Sequence, residues 1–301
     1  MRILLVRCGQ VGEPQELPEL PSDGASAPSN TVDVHDVPVK PNRRDLAFID
    51  SVAAEVLPKD TAPTPDDIGK QKRVEELGAP ELSPQTPSEP VRVVVMGPDA
   101  SLSCVVTHLM RKNLAWVEVA HVPGGPTPST RNWDTGDGLS LQEAFTRPVR
   151  PVPLVRDDTG AAVVGYALLT EPGITGPSST AGLEGEIWVD EHCLFSGRAH
   201  GIQVRPLPDA PGLIAAEVPP PVPSDDRGWL AKKLRPAEAP DPNEGLADAS
   251  GNPRTMHQPL TGRAAQAGGP GFRYVRDGIE AKKPREKVTF YRHLRDLQLV
   301  R

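Results

Sequence analysis

The spacing of apolar residues in the first half of the chain predicts buried strands that alternate with amphipathic helices. Residues 3–6 form a short apolar run, and residues 91–96 are apolar except for Arg92; both runs are typical of strands buried on two faces. Residues 43–57 repeat apolar side chains at helical spacing, which predicts a helix. Residues 31–39 alternate and predict a further strand.

A helix over residues 102–111 and a strand over 117–122 continue the same alternation. Ser101 or Asp99 is predicted to cap this helix, because a short oxygen-bearing side chain satisfies a free backbone N–H group. Strands and helices that alternate with short turns are typical of a parallel sheet covered by helices. The first half is therefore predicted to be an α/β domain over residues 1–147.

Beyond residue 148 the pattern changes to apolar strands joined by turns. Asp157 to Gly160 and Asp277-Gly278 each lie between two such strands, and a third turn is predicted near residues 190–192. The predicted fold class is α/β plus β, with a parallel-sheet domain followed by an antiparallel, sandwich-like β domain over 148–287. Residues 288–301 are predicted to return to the first domain.

Three segments interrupt this pattern with many prolines and polar residues. The chain has 36 prolines and 27 glycines among its 301 residues, more proline than an ordinary domain uses. The segments cover residues 10–30, 58–90 and 219–259, and residues 68–77 within the second predict a short charged helix. We expect no chemistry from residues 58–90. A solubility spacer is the simplest role for these segments, and a partner-binding segment in 58–90 or 219–259 is the alternative.

Charge and cysteine content narrow the classes of function. The net charge of -7 argues against a nucleic-acid partner, although residues 273–301 carry nine Lys or Arg against four Asp or Glu. Cys8, Cys104 and Cys193 have no metal-ligand spacing and are interpreted as reduced core thiols. No segment predicts a signal peptide or a transmembrane span, so a cytoplasmic protein is expected; a homo-oligomer is compatible with the sequence.

The segment Gly97-Pro98-Asp99-Ala100-Ser101, between a strand and a helix, resembles the Gly-Gly-Asp-Gly-Thr loop of the diacylglycerol kinase and NAD kinase superfamily. Ser129-Thr130-Arg131-Asn132 is similar to the family's Gly-Thr-x-Asn element. In the second half, residues 185–218 resemble the β domain of the lipid kinases. Arg276-Asp277-Gly278-Ile279-Glu280 is similar to the later Asp-Gly-Glu turn, with the Glu displaced by one residue.

The resemblance implies ATP-dependent phosphorylation of a lipid or small-molecule hydroxyl, with ATP and Mg²⁺ bound between the domains. Gly97, Asp99, Ser101 and Asn132 match nucleotide-binding positions, and Asp99 is the candidate that supports Mg²⁺ indirectly. A plain helix cap is the alternative for Asp99, and a polar loop residue is the alternative for Asn132.

Asp277 and Glu280 are further candidates, with Glu280 chosen beside Asp99 as a catalytic residue. Whether Glu186, Glu191 or Glu280 would act as the general base stays open, and a solvated turn residue is the alternative for each.

The chain end supplies the candidate phosphate contacts. The resemblance implies that it returns to the first domain, where Arg292 and Arg295 could contact phosphates. A solvated edge strand is the alternative for this segment.

The departures from the family's loop support a second function. Pro98 removes a backbone donor, and Ala100 adds a Cβ where the family has glycine. The alternative is therefore a catalytically inactive pseudokinase that binds a nucleotide, a metabolite or a protein partner. A Rossmann-like enzyme is the third interpretation, but residues 8–14 carry only Gly9 and Gly12 of its fingerprint. No pair of histidines has zinc-site spacing.

Overall fold

The computed structural model describes residues 1–9, 31–56, 78–85, 87–172, 182–218 and 257–301. The first set of elements consists of four strands and four helices within these ranges. They are β1 (Arg2–Cys8), β2 (Thr31–Val37), α1 (Ala47–Val56), β3 (Val91–Met96), α2 (Asp99–Arg111), β4 (Glu118–Val122), α3 (Pro128–Asn132) and α4 (Leu141–Thr146). None of the helices in the described ranges is long and apolar enough to cross a membrane.

The second set of elements consists of strands within the same described ranges. They are β5 (Val155–Asp157), β6 (Ala162–Val163), β7 (Ala167–Thr170), β8 (Leu183–Val189), β9 (His192–Ala199), β10 (Ile202–Pro206), β11 (Leu213–Glu217), β12 (Leu260–Gly262), β13 (Ala264–Arg276), β14 (Ile279–Glu280), β15 (Arg285–Arg292) and β16 (Gln298–Leu299).

The first sheet is parallel and runs in the order β16-β4-β3-β1-β2. Every residue of the central strand β3 is buried, which explains its nearly continuous apolar sequence. α1 and α2 pack on one face through Ile49 and Leu102, and α4 packs on the other face through Phe145. The sheet is therefore covered on both faces.

The second sheet is antiparallel and centres on β13, the longest strand. β13 pairs with β15, β7, β8 and β14, and its register shifts between Gly268 and Phe272. The apolar residues of this sheet form a core of their own, which includes Phe272 and Phe290. The predicted fold class, a parallel α/β part followed by an antiparallel β part, is confirmed.

The predicted turns of the second half are confirmed. Asp277 has a φ of 48° and Gly278 a φ of 74°, the positive values that join β13 directly to β14. The turn after β5 is held by the carboxylate of Asp157, which accepts from the backbone N–H groups of Thr159 and Ala161. The chain end returns to the first sheet as β16, which pairs with β4.

Some local predictions were wrong. α2 begins at Asp99 rather than Leu102; Pro98 stands at its N-cap, and no side-chain hydrogen bond caps it. The predicted capping by Ser101 or Asp99 is therefore wrong. Cys8 is buried and Cys104 is partly buried, but Cys193 is exposed, so it is not a core thiol. The short helix predicted at residues 68–77 lies outside the described residues.

Candidate functional site

The connection from β3 to α2 packs tightly against the ends of the neighbouring strands. Gly97 has a φ of 150°, and a Cβ added there would lie 2.9 Å from the Cβ of Cys8 and 3.0 Å from Ser101 Oγ. The Ser101 side chain is fully buried, and its Oγ donates to the carbonyl of Val39 at 2.6 Å. Gly97 is thus required by its backbone angle and by close packing.

Two backbone N–H groups of residues 97–101 form hydrogen bonds within the protein. The N–H of Gly97 donates to the carbonyl of Val122, and the N–H groups of Ser101 and Leu102 both donate to the carbonyl of Pro98. Pro98 has no N–H group. Gly97, Pro98 and Ser101 therefore offer no free N–H group to a phosphate at this loop.

Asp99 joins this loop to α3. Its Oδ2 accepts from the backbone N–H of Ser129 at 3.0 Å, and its Oδ1 accepts from Ser129 Oγ at 2.7 Å. Asp99 is 8% exposed. The carboxylate that was predicted to cap α2 instead fixes the start of a different helix.

His121 completes a buried network around Ser129. Its Nδ1 lies 3.1 Å from Ser129 Oγ, and its Nε2 lies 2.8 Å from the carbonyl oxygen of Gly97. Burial lowers the pKa of His121, an effect that the nearby Asp99 carboxylate opposes. In the neutral ring, Nε2 donates to Gly97, so Nδ1 and Asp99 both lie where they accept the single proton of the Ser129 hydroxyl.

Asn132 connects the first domain to the second. Its Nδ2 donates to the carbonyls of Val164 and Gly165 at 3.1 and 2.6 Å. Asn132 is 7% exposed, so these two bonds satisfy a buried amide. The residue predicted to contact nucleotide thus holds the segment between β6 and β7.

Asp277 holds the same segment from the opposite side. Its carboxylate accepts from the backbone N–H groups of Val164 at 3.1 Å, Gly165 at 2.8 Å and Tyr166 at 3.0 Å. The side chain has no exposed surface. Burial raises the pKa of Asp277 to about 7, the Arg276 guanidinium opposes this, and the nearby Asp99 carboxylate adds to it.

Gly165 lies between the two aspartates. A Cβ added at Gly165 would lie 2.5 Å from Asp99 Oδ2, 3.2 Å from Asp277 Oδ1 and 3.0 Å from the Cβ of Pro128. The structure therefore brings together Asp99, Asn132 and Asp277, two of them nucleotide-site candidates and the third a candidate set aside in favour of Glu280. The Asp-Gly turn was the sequence signal for Asp277.

The other predicted carboxylates lie elsewhere. The Glu280 side chain is 52% exposed and forms a bidentate ion pair with Arg273, with both contacts at 2.9 Å. The Arg273 guanidinium lowers the pKa of Glu280. Glu186 accepts from the indole N–H of Trp188 at 3.2 Å, and Glu191 is exposed. None of these three carboxylates belongs to the Asp99 network.

Arg292 and Arg295 lie at the opposite end of the parallel sheet. Arg292 is buried and donates to the carbonyl of Gly78 at 2.7 Å and to Asp296 Oδ1 at 2.9 Å. Both arginines line a cavity of about 360 Å³ beside Trp116, which precedes β4. Because Gly97 follows the carboxyl end of β3, these arginines do not meet the Asp99 network.

A second cavity, here called the basic pocket, lies between the two domains. Its volume is about 670 Å³. It is lined by the connection from β2 to α1, by one face and the end of α2, and by two turns of the β domain. The lining residues are Lys40, Pro41, Asn42, Arg43, Leu46, Cys104, Thr107, His108, Arg111, Lys112, Ala161, Arg276 and Ile279. Five of these residues are Lys or Arg, and none is Asp or Glu. The pocket is therefore suited to an anion.

Two of these cations, Lys40 and Arg111, are oriented by carbonyl groups rather than neutralised by carboxylates. Lys40 Nζ donates to the carbonyl of Gly278 at 3.2 Å, and Arg111 donates to the carbonyls of Thr159 and Gly160. Lys112 and Arg276 differ, because Lys112 pairs with Asp50 at 2.8 Å and Arg276 lies 3.8 Å from Asp157 and 3.9 Å from Asp277. Arg43 has no side-chain hydrogen-bond or ion-pair partner in the part of the chain that the structure describes.

The site residues do not fit a Mg²⁺ ion held by the protein. Across the described ranges, no three side chains of His, Cys, Asp or Glu lie where they could hold a metal ion together. Asp99 and Asp277 are buried, and their oxygens already accept protein hydrogen bonds. A phosphate group fits the basic pocket better, because the residues that line it include five Lys or Arg and no Asp or Glu.

No family model and no curated protein matches this chain. A diacylglycerol kinase from Bacillus anthracis str. Sterne matches with a TM-score of 0.54 and 12% identity, over 99% of this chain and 96% of that one. A putative diacylglycerol kinase from the same organism has a TM-score of 0.56 and 11% identity, over 99% and 97% of the two chains. This chain has the diacylglycerol kinase fold.

An NAD kinase from Archaeoglobus fulgidus in complex with ATP is also similar, with a TM-score of 0.44 and 10% identity, over 100% of this chain and 94% of that one. The two diacylglycerol kinase structures confirm the predicted resemblance at the level of the fold. In this kinase fold the Gly97–Ser101 loop and the start of α1 lie at the carboxyl ends of the parallel strands, where open α/β sheets bind ligands. The basic pocket opens beside that edge.

Proposed function

We propose that this chain binds a nucleotide polyphosphate, ATP in the first instance, in the basic pocket between its domains. The observation that carries the proposal is the set of five Lys and Arg residues in a pocket lining without a carboxylate. Several cations gathered in one concave place attract phosphate. Arg43 is the best-placed phosphate ligand, because binding would not break an existing contact.

The apolar part of the lining supports a ligand with a flat organic group. Pro41, Leu46, Ala161 and Ile279 lie in the same pocket as the cations. Small-molecule sites combine apolar walls with a few polar groups that fix orientation. A nucleoside against these residues, with its phosphates near Arg43, satisfies both parts of the lining. Binding should not require Mg²⁺, because the pocket has no carboxylate to hold the ion.

Calorimetry with ATP, with and without Mg²⁺, tests the proposal on the wild type and on Arg43→Gln. Losing a charge-assisted hydrogen bond should weaken binding by roughly 10- to 100-fold, since such bonds contribute about 1.5–3 kcal/mol. Arg44→Gln is the matched control, because Arg44 is the next residue, is exposed and does not line the pocket. Equal losses in the two variants, or no binding by the wild type, would refute the proposal.

A second candidate function is ATP-dependent phosphorylation of a hydroxyl on a lipid or small molecule. Asp277 favours it, because a carboxylate with a pKa of about 7 has the basicity of a general base at neutral pH. The side chain is closed off by three backbone donors, so catalysis would need residues 164–166 to move away.

Phosphorus NMR of ATP with glycerol, diacylglycerol micelles or NAD distinguishes the two candidates. ADP formation that depends on an acceptor and is lost in Asp277→Asn supports the kinase. ATP binding without turnover leaves a catalytically inactive protein that binds nucleotide.

A further inference from the structure

The outer edge of β2 is a long strand edge without a partner in the described part of the chain. β2 pairs with β1 in an unbroken parallel register over seven residues, from Thr31 to Val37. β2 is also the last strand on its side of the parallel sheet. A strand edge of this kind presents backbone N–H and C=O groups that another strand can pair with.

The other sheet edges among the described residues are shorter or interrupted. β16 and β6 have two residues each, and β12 has three. β9 is longer, but its pairing with β8 is irregular, and it carries Arg198 near its end. Natural proteins block strand edges by such means. β2 contains no Pro, Gly or Lys; its charged residues are Asp33 and Asp36, and its central residue, Val34, is 41% exposed.

We propose that β2 pairs with β2 of a second copy of this chain, antiparallel and with Val34 facing Val34 across a two-fold axis. A two-fold axis perpendicular to the sheet keeps each side chain on its own face. Two residues that face each other across this axis therefore have numbers that are both odd or both even. The result is one continuous sheet, with the helices α1 of both copies on the same face.

Charge selects this register among the alternatives. With Val34 on the axis, Asp33 lies opposite His35 of the second copy, and the symmetry produces this pair twice. With Asp33 on the axis, two aspartates face each other. With His35 on the axis, the two His35 rings face each other and Asp33 faces Val37, so the Asp33–His35 pairs are lost; a Val faces Asp36 in both registers. Opposite or hydrogen-bonding partners on facing strands stabilise a sheet, and like charges destabilise it.

His35 is already held in position for this contact. Its ring stacks on Phe48 of α1, with ring centroids 3.6 Å apart and an interplanar angle of 9°. Asp33 is exposed, and no described side chain forms a hydrogen bond or salt bridge with it. Asp36 is occupied by Arg7, at 2.6 Å for both contacts, and leaves the Asp33–His35 pair undisturbed.

Sedimentation velocity of the full chain at increasing concentration tests the proposal. The wild type should dimerise, and Val34→Lys and Val34→Glu should each weaken the dimer at least tenfold, because like charges would face each other on the axis. An equimolar mixture of these two variants should dimerise again, since the introduced charges then have opposite sign. Leu82→Lys is the control, because Leu82 is 64% exposed and lies far from β2 in sequence.

Three results would overturn the proposal: a wild type that stays monomeric at the highest concentration, a dimer that Val34→Lys does not weaken, or a mixture that does not recover. Circular dichroism checks that the variants are folded. Hydrogen exchange of the wild type needs no variant: the β2 amides should be protected more strongly at high than at low protein concentration. Equal protection at both concentrations would count against the dimer.

Discussion

Two aspartates from different domains meet around one glycine. Asp99 stands at the start of α2 in the first domain, and Asp277 stands in the turn after β13 in the second. Both lie close to Gly165, where the backbone has no room for a side chain. Each carboxylate is satisfied by nearby N–H or O–H groups, which is the condition for burying such groups at a tolerable cost.

Gly165→Ala should destabilise the protein by about 1–3 kcal/mol, the usual cost of forcing an extra methyl into a packed site. The added Cβ would collide with Asp99 and with Pro128. Urea unfolding measures the change. Gly125→Ala is the matched control, because a Cβ at Gly125 meets nothing within 4 Å. Equal stability of Gly165→Ala and the control would contradict the tight packing.

Asp277→Asn should change how stability depends on pH. The ordinary pKa of this carboxyl is 3.8 and its folded pKa is about 7, so folding takes up a proton between these values. The contribution of Asp277 to the free energy of unfolding therefore falls as pH rises through this window, by at most about 1.4 kcal/mol per pH unit.

The comparison of wild type and Asp277→Asn by urea unfolding from pH 4 to 8 isolates this effect. Burial lowers the pKa of His121 and lowers that of His293 to about 4. These histidines add the opposite slope, since neutral buried rings lose stability as pH falls. They are present in both proteins and cancel in the difference. The free energy of unfolding of the wild type minus that of Asp277→Asn should fall as pH rises. A rise of this difference with pH would contradict the raised pKa of Asp277.

At the scale of elements, polar contacts hold the ends of short elements that have little apolar surface of their own. α3 has five residues and begins with a capping box between Thr127 and Thr130. Its contacts with Asp99 and His121 run through Ser129. Asn132, at its end, reaches the β domain. A helix this short is stable only through such tertiary contacts.

Ser129→Ala should cost about 1–3 kcal/mol, because the buried Asp99 Oδ1 loses its hydroxyl donor. His121 Nδ1 loses the same partner. Thermal and urea unfolding measure the loss. Ser51→Ala on α1 removes an exposed hydroxyl and should change stability by less than about 0.5 kcal/mol. Equal effects of the two substitutions would mean that the Ser129 network contributes nothing.

At the scale of the whole molecule, the chain crosses between its sheets more than once. After β15 in the second sheet, the last residues return to the first sheet as β16, beside β4. Leu297, Leu299 and Val300 are buried there. The first sheet therefore needs residues from both ends of the sequence, and the two domains should unfold in one cooperative transition.

Leu299→Ala should lower the free energy of unfolding by about 2–5 kcal/mol, the cost of removing a buried leucine side chain. Leu299 is 1% exposed and belongs to the core of the first sheet. Leu82→Ala, at a leucine that is 64% exposed, should have almost no effect. Calorimetry that showed two separate transitions, only one of them shifted by Leu299→Ala, would contradict cooperative unfolding.

The sequence by itself determined the order of elements and the fold class. The continuous apolar run of β3 and the Asp277-Gly278 turn depend on local requirements, burial on two faces and positive φ, which residue type reveals directly. The strand-to-helix position of residues 97–101 was likewise readable from spacing. These features involve neighbours in sequence, so their physical causes are visible in the sequence.

Only the tertiary structure decided which candidate residues meet. Asp99 bonds Ser129 rather than capping α2, and Glu280 pairs with Arg273 at the surface while Asp277 is buried beside Asp99. The basic pocket combines Lys40 with Arg276, which are more than two hundred positions apart in sequence. Burial and Coulomb interactions depend on distance in space, and one sequence does not contain the distances between residues of different sheets.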